Sequence, residues 1–220
     1  MVNEIPLAVL AAGAVVIGLW VSNIIYDMAV PQYISRKIGH IAGGVAFLMC
    51  LFFTSPGWPI ILSFGFGLIL LLARLTKPDT FRGVGGTGRN SKVMAEVWFP
   101  LVAVPVLIIS WWRLDRPELA VSVLLFMAWG DGITGLVRSR VYDKPVKGLW
   151  GSLGMLAVCL TISFVFIHPL WIGILASMTA VIAEWAFGDN GKIRWADDNW
   201  AIPVVSLGVL LGLMALNGNI

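Results

Sequence analysis

Charge is what this sequence has least of. Asp, Glu, Lys and Arg make up 12% of its 220 residues, where a soluble domain carries roughly 25%. With 59% hydrophobic residues and a mean hydropathy of +0.89, an exterior solvated on all sides is excluded. Cysteine is scarce too. Cys50 and Cys159 each lie inside an apolar run, which reads as packing and excludes a disulfide framework. His40 and His168 are too few and too scattered for a zinc site. The first apolar run, IPLAVLAAGAVVIGLWVSNIIY, lacks a basic n-region and is long enough to span, so it is not read as a signal peptide.

What is present is a series of long apolar runs. Eight spans are expected, roughly 5–26, 35–54, 57–75, 92–112, 118–137, 149–167, 170–187 and 199–216. Pro56 and Pro169 punctuate the two tightest turns. The expected fold is all-α: a polytopic transmembrane helical bundle forming one integral membrane domain over residues 1–220.

The loops then alternate between two faces. Arg36, Lys37, Arg74, Lys77, Arg82, Arg89, Lys92, Arg138, Arg140, Lys144, Lys147, Lys192 and Arg194 fall on one face, thirteen of the fifteen basic residues. Arg113 and Arg116 alone fall on the other. The positive-inside rule makes the basic face cytoplasmic and puts both termini outside. Most acids lie on the same face, among them Asp143 and Asp189. Mixed acids and bases at one face imply a polar site at the cytoplasmic mouth of a bundle.

Five stretches carry candidate chemistry. In SRKIGHIAGG, Arg36 and His40 share a helix face and Lys37 approaches it. The cluster suits phosphate, or serves as an anchor ahead of a glycine packing face formed by Gly39, Gly43 and Gly44. Gly83-x-Gly85-x-x-Gly88, flanked by Arg82 and Arg89, matches a dinucleotide-binding spacing. It follows a membrane helix and not a strand, so that reading is rejected. The loop is either a phosphate cradle or a connector. Glu96, four residues after Lys92, is either a helix-surface ion-pair partner or an inward site acid.

FMAWGDGITGLV places Asp131 between Gly130 and Gly132. A carboxylate within a span costs about 2.5–3.5 kcal/mol on insertion scales and is a functional hypothesis by default. The glycines permit close backbone approach or a break in the helix. Such a carboxylate is suited to holding Mg²⁺ on nucleotide phosphates; a purely structural role would pair it with Arg138 or Arg140. Downstream, Lys144 and Lys147 supply cations, and Gly151 and Ser152 at a helix start could present N–H groups to an anion. Finally Glu184 ends one span, and Asp197, Asp198 and Asn199 open the next. They suit a metal, a nucleotide hydroxyl or ordinary helix capping.

Taken in order, RKIGHIAGG, AEVWFP, GDGITGLVRSR, KGLWGS and the run from Glu184 to Pro203 resemble the CTP-dependent polyprenol kinases, the phytol kinase and dolichol kinase-like membrane enzymes. The resemblance covers about residues 35–205. It departs from the family pattern at Ala95, where a Gly is usual, and at Gly148 and Trp150, where the family has Ser and Glu. It implies transfer of the γ-phosphate of CTP to the hydroxyl of a membrane-embedded prenyl alcohol, with Mg²⁺ as cofactor. In that reading Asp131 is the metal–triphosphate anchor, with Asp198 or Glu184 as a second acid. Arg36, Arg138 and Lys147 contact phosphate, and His40 orients or deprotonates the alcohol. Partners are CTP, the lipid alcohol and membrane lipids, with no nucleic acid. Gly208-x-x-x-Gly212 offers a face for a homo-oligomer. A CTP:phosphatidate-type cytidylyltransferase, an ion-coupled transporter and a structural membrane protein are the competing readings.

Overall fold

The computed structural model describes residues 3–85, 94–142, 146–188, 193 and 197–220. Its named elements are all helical. Among the described residues they form eight long helices: α1 Ile5–Asp27, α2 Gln32–Phe52, α3 Gly57–Thr76, α4 Ala95–Arg113, α5 Pro117–Val141, α6 Leu149–Phe166, α7 Leu170–Ala186 and α8 Asp198–Leu216. Seven are long and apolar enough to cross a membrane; α7, at 17 residues, is the shorter one. At about 1.5 Å per residue α7 still reaches the lower end of the spanning range. The bundle is therefore all-α and polytopic, as expected from the apolar runs.

The largest boundary difference is at α5, which runs to Val141 and not 137. Arg138 ends the apolar run in sequence. The helix continues because Arg138 is buried against a carboxylate of α7. α5 is also the central helix: 78% of its apolar window is buried, against 22% for α3. Leu119 to Met127 form an unbroken buried stretch at its middle.

The glycines around Asp131 do not break α5. Instead Phe126–Gly130 forms a π-helical turn, and the α-helix resumes at Asp131. An extra residue in one turn re-aims the side chain that follows, a device common at functional sites. Gly130 is needed for packing, since a Cβ there would lie 2.9 Å from Cys159 Sγ on α6. Both cysteines are free and buried.

The two ends of the bundle differ. At one end Glu4 accepts hydrogen bonds from the N–H and hydroxyl of Thr54, and Arg116 donates to the carbonyl of Asn219. At the other end Arg82 makes a two-point ion pair with Asp27. There the described part of the glycine-rich loop is docked on the helices. Gln32 donates to the carbonyls of Arg82 and Gly85, and Ser35 donates to that of Gly83. Gly88, Arg89, Lys92, Asp143, Lys144, Asp189, Lys192 and Arg194 lie outside the described residues. On α8, Gly208 and Gly212 have nothing within 4 Å of a Cβ position, so that face is open.

Candidate active site

Four helices bring acids and bases together at the basic end. The π turn sets Asp131 facing α2, where Lys37 Nζ lies 2.6 Å from Asp131 Oδ2 and His40 Nδ1 lies 3.3 Å from the same oxygen. Thr134, one turn on, donates to Asp131 Oδ1 at 3.1 Å. Two glycines make room for the long cations. A Cβ at Gly135 would come within 2.5 Å of Lys37 Cε, and one at Gly151 within 2.6 Å of Arg138 Nε.

Arg138 does not pair with Asp131. Its two terminal nitrogens each lie 3.0 Å from an oxygen of Glu184, a two-point ion pair between α5 and α7. Lys147 then links α7 to α8. It reaches Glu184 Oε1 at 3.1 Å and Asp198 Oδ2 at 3.4 Å, and donates to the backbone carbonyls of Glu184 and Phe187. Asp197 caps α8 by accepting from the N–H of Asn199 at 2.9 Å. The Asn199 side chain donates to the carbonyl of Ala95 at 3.0 Å, tying the start of α8 to the start of α4.

Asp131, Glu184 and Asp198 each offer one oxygen, and these lie within 4.8 Å of one another, a grouping that could hold a metal ion. Such hard oxygen donors suit Mg²⁺. Three buried carboxylates this close would repel one another; Lys37, Arg138 and Lys147 are interleaved between them and offset that repulsion. Arg138 Nε is buried and donates no hydrogen bond among the described residues. The cluster thus presents acids to a cation and bases to an anion in one small volume.

Beside this cluster runs a partly open apolar cavity of about 90 Å³ between α1, α2, α3 and α4. On α2 its lining extends from Arg36 to Cys50, about 21 Å along the helix. Arg36, His40 and Glu96 line one end, and Cys50, Phe53 and Pro59 lie towards the other. His40 belongs to both places: it lines the cavity and approaches Asp131. Its ring packs on Phe99 with centroids 4.6 Å apart, and Phe99 packs on Phe47. The absence of a side chain at Gly43 lets Phe99 in, since a Cβ there would be 2.5 Å from its ring.

The other candidates fall as follows. Glu96 faces inward, buried, with Arg74 Nη1 3.4 Å away. The N–H of Ser152 is bonded within its helix to the carbonyl of Gly148 at 3.2 Å. Gly132 is buried in ordinary packing, with its nearest outside atom, on Ile41, at 3.7 Å from a Cβ position. Trp150, where the resemblance calls for an acid, is 57% exposed on the outer surface of α6. Sequence reasoning missed Thr134, Phe99 and Arg74 as site residues. Thr134 stands one turn from Asp131 and is detectable by spacing; Arg74 reads in sequence only as one of the charges of the basic face.

No family model matches the chain, and no solved structure matches it. Among curated proteins it is similar to the phytol kinase of Synechocystis sp., at 28% identity over 188 residues, covering 80% of this chain and 77% of that protein. The motifs, the all-helical membrane architecture and this relative together support placing the chain in a phytol kinase/polyprenol kinase-like family.

Proposed function

We propose that this protein transfers the γ-phosphoryl group of CTP to the hydroxyl of a membrane-embedded prenyl alcohol, at the cytoplasmic face. The observation that carries the reading is the shared position of His40, which lines the apolar cavity and lies 3.3 Å from Asp131 in the charged cluster. An alcohol with its chain in the cavity has its oxygen beside the groups that would hold a triphosphate.

Phosphoryl transfer asks a protein for positioning and charge neutralisation more than for covalent chemistry. The alcohol oxygen attacks the γ-phosphorus, the bond from that phosphorus to the bridging oxygen breaks, and CDP leaves. The alcohol proton passes to His40. In the tautomer carrying its proton on Nδ1, towards Asp131, the other ring nitrogen is basic. Lys37, Arg138 and Lys147 hold the phosphate oxygens, with Arg36 at the cavity mouth. Asp131, Asp198 and Glu184 would hold Mg²⁺, which when bound supplies charge neutralisation to the triphosphate. Asp197 and Asn199 keep the acidic start of α8 in register with α4.

The surplus of basic residues at the cluster end supports a cytoplasmic position for that end and an outside position for both termini. A topology reporter that put residues 77–85 outside would overturn this placement. The activity is tested with purified protein in liposomes, by assaying phytol, geranylgeraniol, farnesol and dolichol each with CTP, ATP, GTP and UTP. Phosphorylated prenyl alcohol is expected with CTP as the preferred donor. A cytidylyl-lipid product would instead favour the cytidylyltransferase reading, and solute flux without nucleotide turnover the transporter.

A further inference from the structure

We propose that in the nucleotide-free protein Glu96 is the hydroxyl-recognition residue of the cavity, accepting the O–H of a neutral long-chain alcohol, before that proton turns to His40 for transfer, while Arg36 Nε donates to the same oxygen. This rests on the lipid-alcohol reading above and adds to it the residue that decides what head group the cavity takes.

The cavity is apolar except for Arg36, His40, Ser63 and Glu96, and three of these four are gathered at one end. Glu96 is only 7% exposed. Both of its carboxylate oxygens are enclosed, and among the described residues neither accepts a hydrogen bond. Arg74 Nη1, 3.4 Å from Oε1, balances the charge, but the acceptor capacity of the carboxylate is left open. A buried acceptor without its hydrogen bond is costly, and more so when charged. Arg36 Nε is likewise buried and donates no hydrogen bond among the described residues. One acceptor and one donor therefore line the same end of one apolar cavity.

A hydroxyl is both a donor and an acceptor, and so satisfies the two groups together. An ether can satisfy Arg36 alone, and a hydrocarbon neither. A lipid ending in a phosphate or carboxylate would bring a second negative charge to Glu96. The residue is also held firmly. A Cβ on Gly85 would lie 2.5 Å from Glu96 Oε1, so the loop closes directly over the carboxylate. The neighbouring Ala95 carbonyl is bonded to Asn199, fixing the start of α4 against α8. Sites built around a substrate hydroxyl reject analogues that leave their polar groups unpaired.

The test is nucleotide-free binding of tritiated phytol to the full chain in nanodiscs, with phytyl methyl ether and phytyl phosphate as competitors. The wild-type protein is expected to prefer the alcohol to the ether by on the order of 10- to 100-fold, the effect of one hydrogen bond to a charged group. Glu96→Leu is expected to bring that ratio near unity while the ether still binds. Glu96→Gln keeps an acceptor and is expected to retain much of the preference for alcohol over ether. Having lost the charge, it should bind phytyl phosphate about tenfold more tightly than the wild type does. A wild-type protein without the alcohol preference overturns the proposal. So does a Leu variant that keeps it, or a Gln variant with unchanged phosphate exclusion. If the Leu variant does not fold, the wild-type ratio and the Gln variant decide. Binding preference without phosphoryl transfer upholds Glu96 and contradicts the kinase reading; phosphorylation of phytol without the preference does the reverse.

Discussion

Lys37 Nζ lies 2.6 Å from Asp131 Oδ2, joining two helices through residues 94 positions apart in sequence. The pair is buried at the basic end of the helical bundle, where removing one partner leaves an uncompensated charge. Asp131→Asn alone or Lys37→Met alone is expected to destabilise the protein by about 3–5 kcal/mol. The double variant is expected to be less destabilised than the sum of the two. Phosphoryl transfer should nevertheless stay lost in all three, by on the order of 10²–10³-fold or more. Thermal unfolding in detergent, measured beside turnover, checks this. A double variant that regained activity with its stability would give the pair a structural role alone.

Arg138 and Glu184 form a two-point pair at 3.0 Å on both branches. Lysine cannot reproduce that planar fork. Arg138→Lys is expected to lower kcat/KM on the order of 10²-fold, while Arg138→Ala should add a marked loss of stability. Steady-state kinetics with varied CTP locate the defect; a Lys variant with unchanged kcat/KM would remove Arg138 from phosphate contact.

The length of the cavity should set the chain length of the alcohol. Cys50 lies on its α2 wall, about 15 Å along the helix from His40. Cys50→Trp puts a ring system across the path there. It is expected to suppress phosphorylation of geranylgeraniol far more than that of farnesol, with KM for CTP unchanged. Equal losses on both alcohols would mean that the chain lies elsewhere.

Trp150 occupies the position where the family pattern has an acid, yet its side chain is exposed on the outside of α6. The cluster draws its acids from α5, α7 and α8 instead. Trp150→Ala is expected to change stability by no more than about 0.5 kcal/mol and activity by no more than about twofold, measured as kcat/KM. A large loss of activity would show that this surface takes part in catalysis.

Much of the architecture was legible because membrane burial writes itself into hydropathy. The runs around α1, α3, α6 and α8 mark their helices to within a residue or two. The members of the charged cluster were legible for the converse reason, since Asp131, Glu184 and Arg138 are costly inside apolar runs and stand out. Their pairing was not. A structural role read from α5 alone pairs Asp131 with Arg138 or Arg140, whereas the three-dimensional packing gives Asp131 to Lys37 and Arg138 to Glu184. The π turn before Asp131 has no period of its own to read in so short a stretch. The cavity was invisible because it is space left beside small residues such as Ala11 on α1, Ala46 on α2 and Ser63 on α3, helices whose packing the sequence does not show. Glu96 remained ambiguous until its burial against Arg74 showed which way it faces.

The most direct measurement is the fate of label from CTP. Purified protein in phytol-containing liposomes is supplied in parallel with CTP labelled at the γ-phosphate and CTP labelled at the α-phosphate, and the extracted lipid is counted. Label is expected in the lipid from the γ-position alone, and absent when Asp131→Asn protein is used. Lipid label from the α-position, or no lipid label from either, would contradict a CTP-dependent prenyl alcohol kinase.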